Sequence, residues 1–180
     1  MTRGFLLVAV TGAAWFGSID AAAAQNFEYD CDTQAEHYSV LKTVQDGPNY
    51  DVRGNISPRR VFAVKEYVTL GTLVLEPDDK SWRVRLGITA LQAGADTVTM
   101  GTLEITRNGK AGKPQMLGQV FEYQMGKTYP IRLELGSEGG SATLGDHTVP
   151  IDLQAKGKVS ASVICSGGEF LFTDLNLSGN

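Results

Sequence analysis

The stretch that decides the fold runs from Tyr129 to Leu153, YPIRLELGSEGGSATLGDHTVPIDL. Tyr129, Ile131, Leu133 and Leu135 alternate with Arg132 and Glu134. A period of two predicts a strand with one dry face and one wet face. The run Gly136-Ser137-Glu138-Gly139-Gly140 then reverses the chain. Ala142-Thr143-Leu144 comes back, Gly145-Asp146-His147 turns, and Thr148 to Leu153 forms a third run. The reading is a meander of exposed-edge strands.

The rest of the chain repeats this grammar. Phe27-Glu28-Tyr29 reads as a first strand, and His37 to Leu41 as a strand or a single helical turn. After the turn Asp46-Gly47-Pro48-Asn49, the residues Tyr50, Val52 and Ile56 give a strand that Ser57-Pro58 ends. Val61 to Glu76 is rich in β-branched and aromatic residues, which favours strand, with a bulge or bend expected at Gly71. Trp82, Val84, Leu86 and Ile88 alternate with Arg83, Arg85 and Gly87, the clearest half-buried strand in the chain. Val98 and Met100 change phase to Leu103 and Ile105, which predicts a bulge at Gly101. Asn108-Gly109 is a hairpin signal, with Met116 to Tyr123 as the returning strand. Val159, Ala161 and Val163 lead to Cys165. In the last strand, Phe170 and Phe172 lie on one parity and Leu175 and Leu177 on the other, so a bulge is expected at Thr173-Asp174. Roughly ten to twelve short strands with closely spaced turns predict an all-β chain, a two-sheet antiparallel β-sandwich of jelly-roll type.

Arg3, the apolar run Gly4 to Phe16 and Ala21-Ala22-Ala23-Ala24 read as a signal peptide over residues 1–24. Residues 25–180 are then a single exported domain, periplasmic or secreted. No later stretch is apolar enough to span a membrane. The net charge of −4 offers no basic footprint for nucleic acid or for an anionic membrane surface. Cys31 and Cys165 are the only cysteines, and in an exported chain a disulfide between them is the leading reading. Two buried free thiols are the alternative. With two histidines in the chain, no metal or other cofactor is expected.

The Tyr129 to Leu153 meander, with the closing run Phe170-Leu171-Phe172-Thr173-Asp174-Leu175-Asn176-Leu177, resembles the concanavalin A-like and laminin G-like jelly rolls. The resemblance implies two stacked antiparallel sheets, one of which often binds glycans. It does not carry over to catalysis. Glycoside hydrolases of this fold carry an E-x-D-x-x-E strand, whose carboxylates serve as acid and nucleophile. Glu104 and Glu134 have no such neighbours. The alginate-lyase-like branch needs a glutamine, histidine and tyrosine near an arginine strand, and His37 and His147 match no part of that pattern.

Other chemistry reads as structure. Asp146-His147 adjoins a carboxylate and an imidazole, but after Gly145 it reads as a turn. Asp78-Asp79 and the pair Asp30 and Asp32 lack the spacing of a calcium loop and read as turn or edge residues. Arg83, Arg85 and Arg132 lie on polar strand faces, with Trp82 and Tyr123 at similar positions. Brought together, Trp82, Arg83, Arg85 and Arg132 would suit an acidic glycan through bidentate and stacking contacts. The alternative is cross-strand ion pairing with Glu104, Glu122 and Glu134. The functional expectation is a non-catalytic module that binds a glycan or a cell-envelope protein. A structural protein working by strand addition, or a polysaccharide-active enzyme with an unfamiliar site, are the alternatives.

Overall fold

A computed structural model describes residues 26–34, 37–62, 68–93 and 96–177. The expected signal peptide and its cleavage point lie outside these residues. Thirteen strands are present among them: β1 (Phe27–Asp32), β2 (Tyr38–Gly47), β3 (Asn49–Val61), β4 (Thr69–Pro77), β5 (Trp82–Ala93), β6 (Asp96–Arg107), β7 (Lys110–Ala111), β8 (Gln115–Leu117), β9 (Tyr129–Gly136), β10 (Gly139–Leu144), β11 (His147–Ile151), β12 (Gly157–Ser166) and β13 (Gly168–Asn176).

They form two sheets in which every pairing is antiparallel. The first runs β1-β13-β3-β9-β10-β11 and the second β2-β12-β4-β5-β6-β7, with β8 also on β6. The chain crosses between sheets repeatedly, which is the jelly-roll sandwich expected. Alternate residues point inward from both layers. Val52, Ile56, Leu133 and Phe172 of the first sheet meet Leu73, Val84, Leu86 and Val163 of the second, all inaccessible to solvent. This is the burial that stabilises a sandwich. At one end Tyr50 is buried, and its hydroxyl bonds the carbonyls of Gly47 and Gly157. It ties the β2–β3 turn to the start of β12.

Cys31 of β1 and Cys165 of β12 form a disulfide, with Cα atoms 6.3 Å apart and a sequence separation of 134. It joins one sheet to the other.

The meander has the expected turns, but only β11 is an edge; β9 and β10 are paired on both sides. The expected bulge at Thr173-Asp174 is present. The β13–β3 register slips between Thr173 and Asn176, and Asp174 takes a left-handed φ of 51°. The slip buries Phe170, Phe172, Leu175 and Leu177 together despite their opposite parities.

Four local expectations are corrected. No bulge occurs at Gly71, where β4 pairs in unbroken register with β5 and β12. A Cβ at Gly71 would lie 2.5 Å from the Phe170 ring of the other sheet, so close approach explains the glycine. The interruption of Val61 to Glu76 falls between β3 and β4, where 63–67 lie outside the described residues. Gly101 likewise sits in a continuous β5–β6 ladder, beneath Tyr123 and Leu144. Val98 and Met100 therefore point outward rather than shifting phase. Pro58 does not end β3; it lies at a register slip opposite Phe170, a place where a missing N–H is tolerated. The return after Asn108-Gly109 pairs only through Leu117, and Gly118 to Tyr123 leaves the sheet as a loop.

Candidate functional site

The outer face of the second sheet is the broadest candidate. Because Val84, Leu86 and Ile88 fill the core, Arg83, Arg85, Gly87 and Thr89 of β5 point away from it. The ladders set cross-strand rows on this face. One row is Val44, Ser160 and Glu76, continuing to Arg83 and Thr106. The next is Lys42, Ser162, Val74, Arg85 and Glu104. A third is Val40, Ile164, Thr72, Gly87, Thr102 and Met116. Side chains in the middle of the face are shielded: Thr72 is 1% exposed and Ser162 7%. Those at its borders stand out, with Tyr38 75% and Met116 48% exposed. The profile is that of a hydroxyl-bearing central strip, the trough, between exposed apolar borders.

The two arginines on it are already paired with carboxylates. Arg83 donates to Glu76 Oε1 from both Nε (3.0 Å) and Nη2 (2.7 Å). Arg85 Nη2 donates to Glu104 Oε2 at 2.7 Å. Thr89 and Thr102 hydroxyls lie 3.0 Å apart. Half-exposed ion pairs of this kind contribute little to stability, but they hold donors and acceptors in fixed directions.

The four residues singled out from sequence do not form one surface. Trp82 is only 9% exposed and belongs to the core, because it shares the parity of Val84 and Leu86. Tyr123 is fully buried. Arg83 and Arg85 lie on the outer face of the second sheet, whereas Arg132 belongs to β9 in the first. There Arg132 donates to Asp51 from Nε (2.8 Å) and Nη2 (2.9 Å) and pairs with Glu134 at 2.7 Å. Asp51 also accepts from Arg53, and Ser141 donates to Glu134. Glu104 and Glu134 thus pair with arginine, as the ion-pair alternative expected.

Glu122 does something the sequence did not suggest. The loop after β8 runs over the edge of the sandwich and is pinned by Tyr123, whose hydroxyl donates to the carbonyls of Leu117 (3.0 Å) and Leu144 (3.3 Å). Burial first, and then the charges of Glu122, Tyr129 and Asp146, push this phenol up. Thr99 donates to the Tyr123 carbonyl at 2.6 Å, and the Tyr129 ring meets Tyr123 edge-on at 5.0 Å. On this anchored loop, Glu122 Oε1 stands 2.6 Å from His147 Nε2, and Glu122 Oε2 accepts the Gln119 backbone N–H at 2.6 Å. His147 is placed by a two-residue turn whose first member, Gly145, has φ 59°, the hairpin geometry that glycine favours there. His147 therefore bonds to the loop after β8 and not to its sequence neighbour Asp146. Gln119, Val120, Phe121, Glu122 and His147 line an open cavity of ≈ 430 Å³.

The Gln119 hydrogen bond first, and then that of His147, hold the Glu122 carboxyl below the ordinary glutamate range. A folded value below the unfolded one adds stability at higher pH and loses it as pH falls through the folded value. Melting curves between about pH 6 and pH 3 are expected to show a steeper acid loss in the natural protein than in Glu122→Gln. Parallel curves would show that the pair makes no such contribution. Among the described residues, no group of three or more His, Cys, Asp and Glu side chains is gathered to hold a metal ion.

No protein-family model matches this chain, and no curated protein sequence matches it. Solved structures do. A galectin of Caenorhabditis elegans, LEC-6, aligns at 14% identity with a TM-score of 0.50, over 84% of this chain and 95% of its own. The CBM2 carbohydrate-binding module of an evolved Dit protein from Lactobacillus casei phage J-1 aligns at 11% identity and TM-score 0.51, over 82% and 74%. An alginate lyase of Pseudomonas aeruginosa aligns at 11% and 0.51, over 74% of this chain and 65% of its own. At such identities the likeness concerns architecture alone. Two antiparallel sheets, their strand order and these neighbours together give the conclusion: the chain folds as a concanavalin A-like jelly-roll β-sandwich.

Proposed function

We propose that this protein is an exported, non-catalytic module that binds a glycan on the outer face of its second sheet. The observation that carries the reading is the set of polar groups that reach the surface of the trough: the half-buried hydroxyls of Thr89 and Thr102 between exposed apolar borders, with Arg83–Glu76 and Arg85–Glu104 side by side at one end. Sugar hydroxyls both donate and accept, and pre-oriented arginine–carboxylate pairs offer both functions without rearranging. Carbohydrate-binding modules and galectins among the fold's neighbours support the same class of ligand. Export is supported by the leader-like sequence of residues 1–24 and by the disulfide. Screening the mature protein on a glycan array, followed by calorimetry, tests the reading. Arg85→Ala is expected to weaken the selected glycan by about tenfold or more, the order expected for losing a charged hydrogen-bonding group. An array with no signal above background would count against it.

One observation favours a second reading. β2 is a ten-residue strand at the border of the second sheet, with Tyr38, Val40 and Val44 exposed and, among the described residues, no strand on its outer side. Such an edge can accept a strand from an envelope partner. A Val40→Pro variant that loses an envelope protein captured by the natural protein would select this reading.

A further inference from the structure

The loop between β8 and β9 makes a second arrangement, separate from the trough. Backbone hydrogen bonds and one buried ring tie it to the sandwich. Phe121 donates its N–H to the Thr99 carbonyl at 2.9 Å, Gly126 donates to Pro58 at 2.7 Å, and Tyr123 is buried between them. Yet this anchored segment turns Phe121 outward, 56% exposed, through a left-handed φ of 67°. That conformation is costly for a bulky residue and is retained where the surroundings impose it, as at binding sites. Beside the ring, Glu122 is fixed by Gln119 and His147, with half-exposed side chains on both members of the pair. Gly118 makes the approach possible, since a Cβ there would stand 2.2 Å from Glu122 Oε2 and 2.8 Å from His147 Nε2.

We infer that Phe121, Glu122, His147 and Gln119 form a binding subsite for a neutral pyranose of a glycan chain. The inference rests on the glycan-binding reading and adds a location and a sugar class to it. An exposed aromatic face offers the flat apolar platform on which the C–H side of a pyranose ring rests. A carboxylate held in place accepts hydrogen bonds from paired sugar hydroxyls, and the glutamine amide both donates and accepts. The sign of the charge decides among sugars. Glu122 is acidic, Asp146 adjoins His147 in sequence, and the arginines named above are committed to other carboxylates. A uronic or sulfated sugar would bring like charge to this carboxylate and is disfavoured. This reverses the sugar class expected from the arginines alone.

Heteronuclear NMR of the mature protein tests it. The probes are neutral trisaccharides built from glucose, galactose, mannose or N-acetylglucosamine, with trimannuronate as the acidic counterpart. At least one neutral probe is expected to shift the amides of Gln119, Phe121, Glu122 and His147 and to bind more tightly than trimannuronate. Phe121→Ala and Glu122→Gln should each weaken it by about tenfold or more, whereas His147→Gln, which keeps a donor, should lose less. Gly118→Ala, which leaves every ligand-facing group in the chain but crowds the carboxylate, should weaken it as well. Thermal melts of each variant separate lost binding from lost folding. Shifts confined to the trough would overturn the subsite and leave the proposed function standing. Shifts confined to the loop would do the reverse for the trough. Tighter binding of trimannuronate at the loop would overturn the neutral-sugar assignment. If no probe shifts either region, both readings fall.

Discussion

Removing the Cys31–Cys165 bridge should cost this domain up to about 5 kcal/mol, the largest effect expected of any single covalent change in it. The size follows from the sequence separation of 134 between the two cysteines. Linking such distant points deprives the unfolded chain of much of its freedom, and the loss grows with the logarithm of the loop. For a domain of this length, roughly 2–4 °C of melting temperature accompany each kcal/mol, so a fall of about 10–20 °C is anticipated. Both sulfurs are inaccessible, so a reductant acts only when the protein opens. The double variant Cys31→Ala/Cys165→Ala is therefore the cleaner comparison. Calorimetric scans of the two proteins, with thiol titration of the unfolded natural chain, measure the effect. Equal melting temperatures would mean that the bridge adds no net stability.

Phe170→Ala is expected to cost about 3–5 kcal/mol, as is usual for deleting a buried aromatic ring. Phe170 lies opposite Cys31 on one side and Pro58 on the other, and its ring reaches across the sandwich to Gly71 of β4. The reciprocal change, Gly71→Ala, adds a methyl 2.5 Å from that ring and should cost about 1–3 kcal/mol by overpacking. The two sites share one space, so their effects should not add. Phe170→Leu should relieve much of the crowding in Gly71→Ala, leaving a coupling of about 0.5 kcal/mol or more in a double-mutant cycle. Urea titration of the four proteins gives the cycle. Strict additivity would show that the ring can move aside freely.

The contrast between Gly71 and Thr173-Asp174 shows what a lone sequence can reveal about such a fold. The parity switch in the last strand is a local pattern, and it predicted the observed bulge from the residues themselves. Gly71 and Gly101 presented the same symbol, a glycine inside an apolar run, for a different cause. Each makes room for an aromatic ring from a distant part of the chain, 99 residues away for Phe170. Local periodicity cannot separate a kinked backbone from a crowded one. Trp82 shows the same limit from the other side. Its alternation with Arg83 was legible, and its core position follows from that alternation, yet its indole suggested a surface role. The arginine pairs depended on register: Arg85 faces Glu104 only because β5 and β6 align residue by residue. His147 and Glu122 are 25 residues apart, one on β11 and the other on the loop after β8, so no spacing rule joins them.

The order of strands also constrains how this polypeptide reaches its final shape. The last two of the thirteen strands are interior ones: β13 lies between β1 and β3, and β12 between β2 and β4. Until both have been made, each layer has a gap, and the opening strands have no neighbour on which to settle. Assembly must then be a late, concerted event with distant partners, slow by the standards of small proteins. A nascent fragment that still lacks β12 and β13 would expose two unfilled seams. Such a fragment is the form in which helper proteins would find a hold.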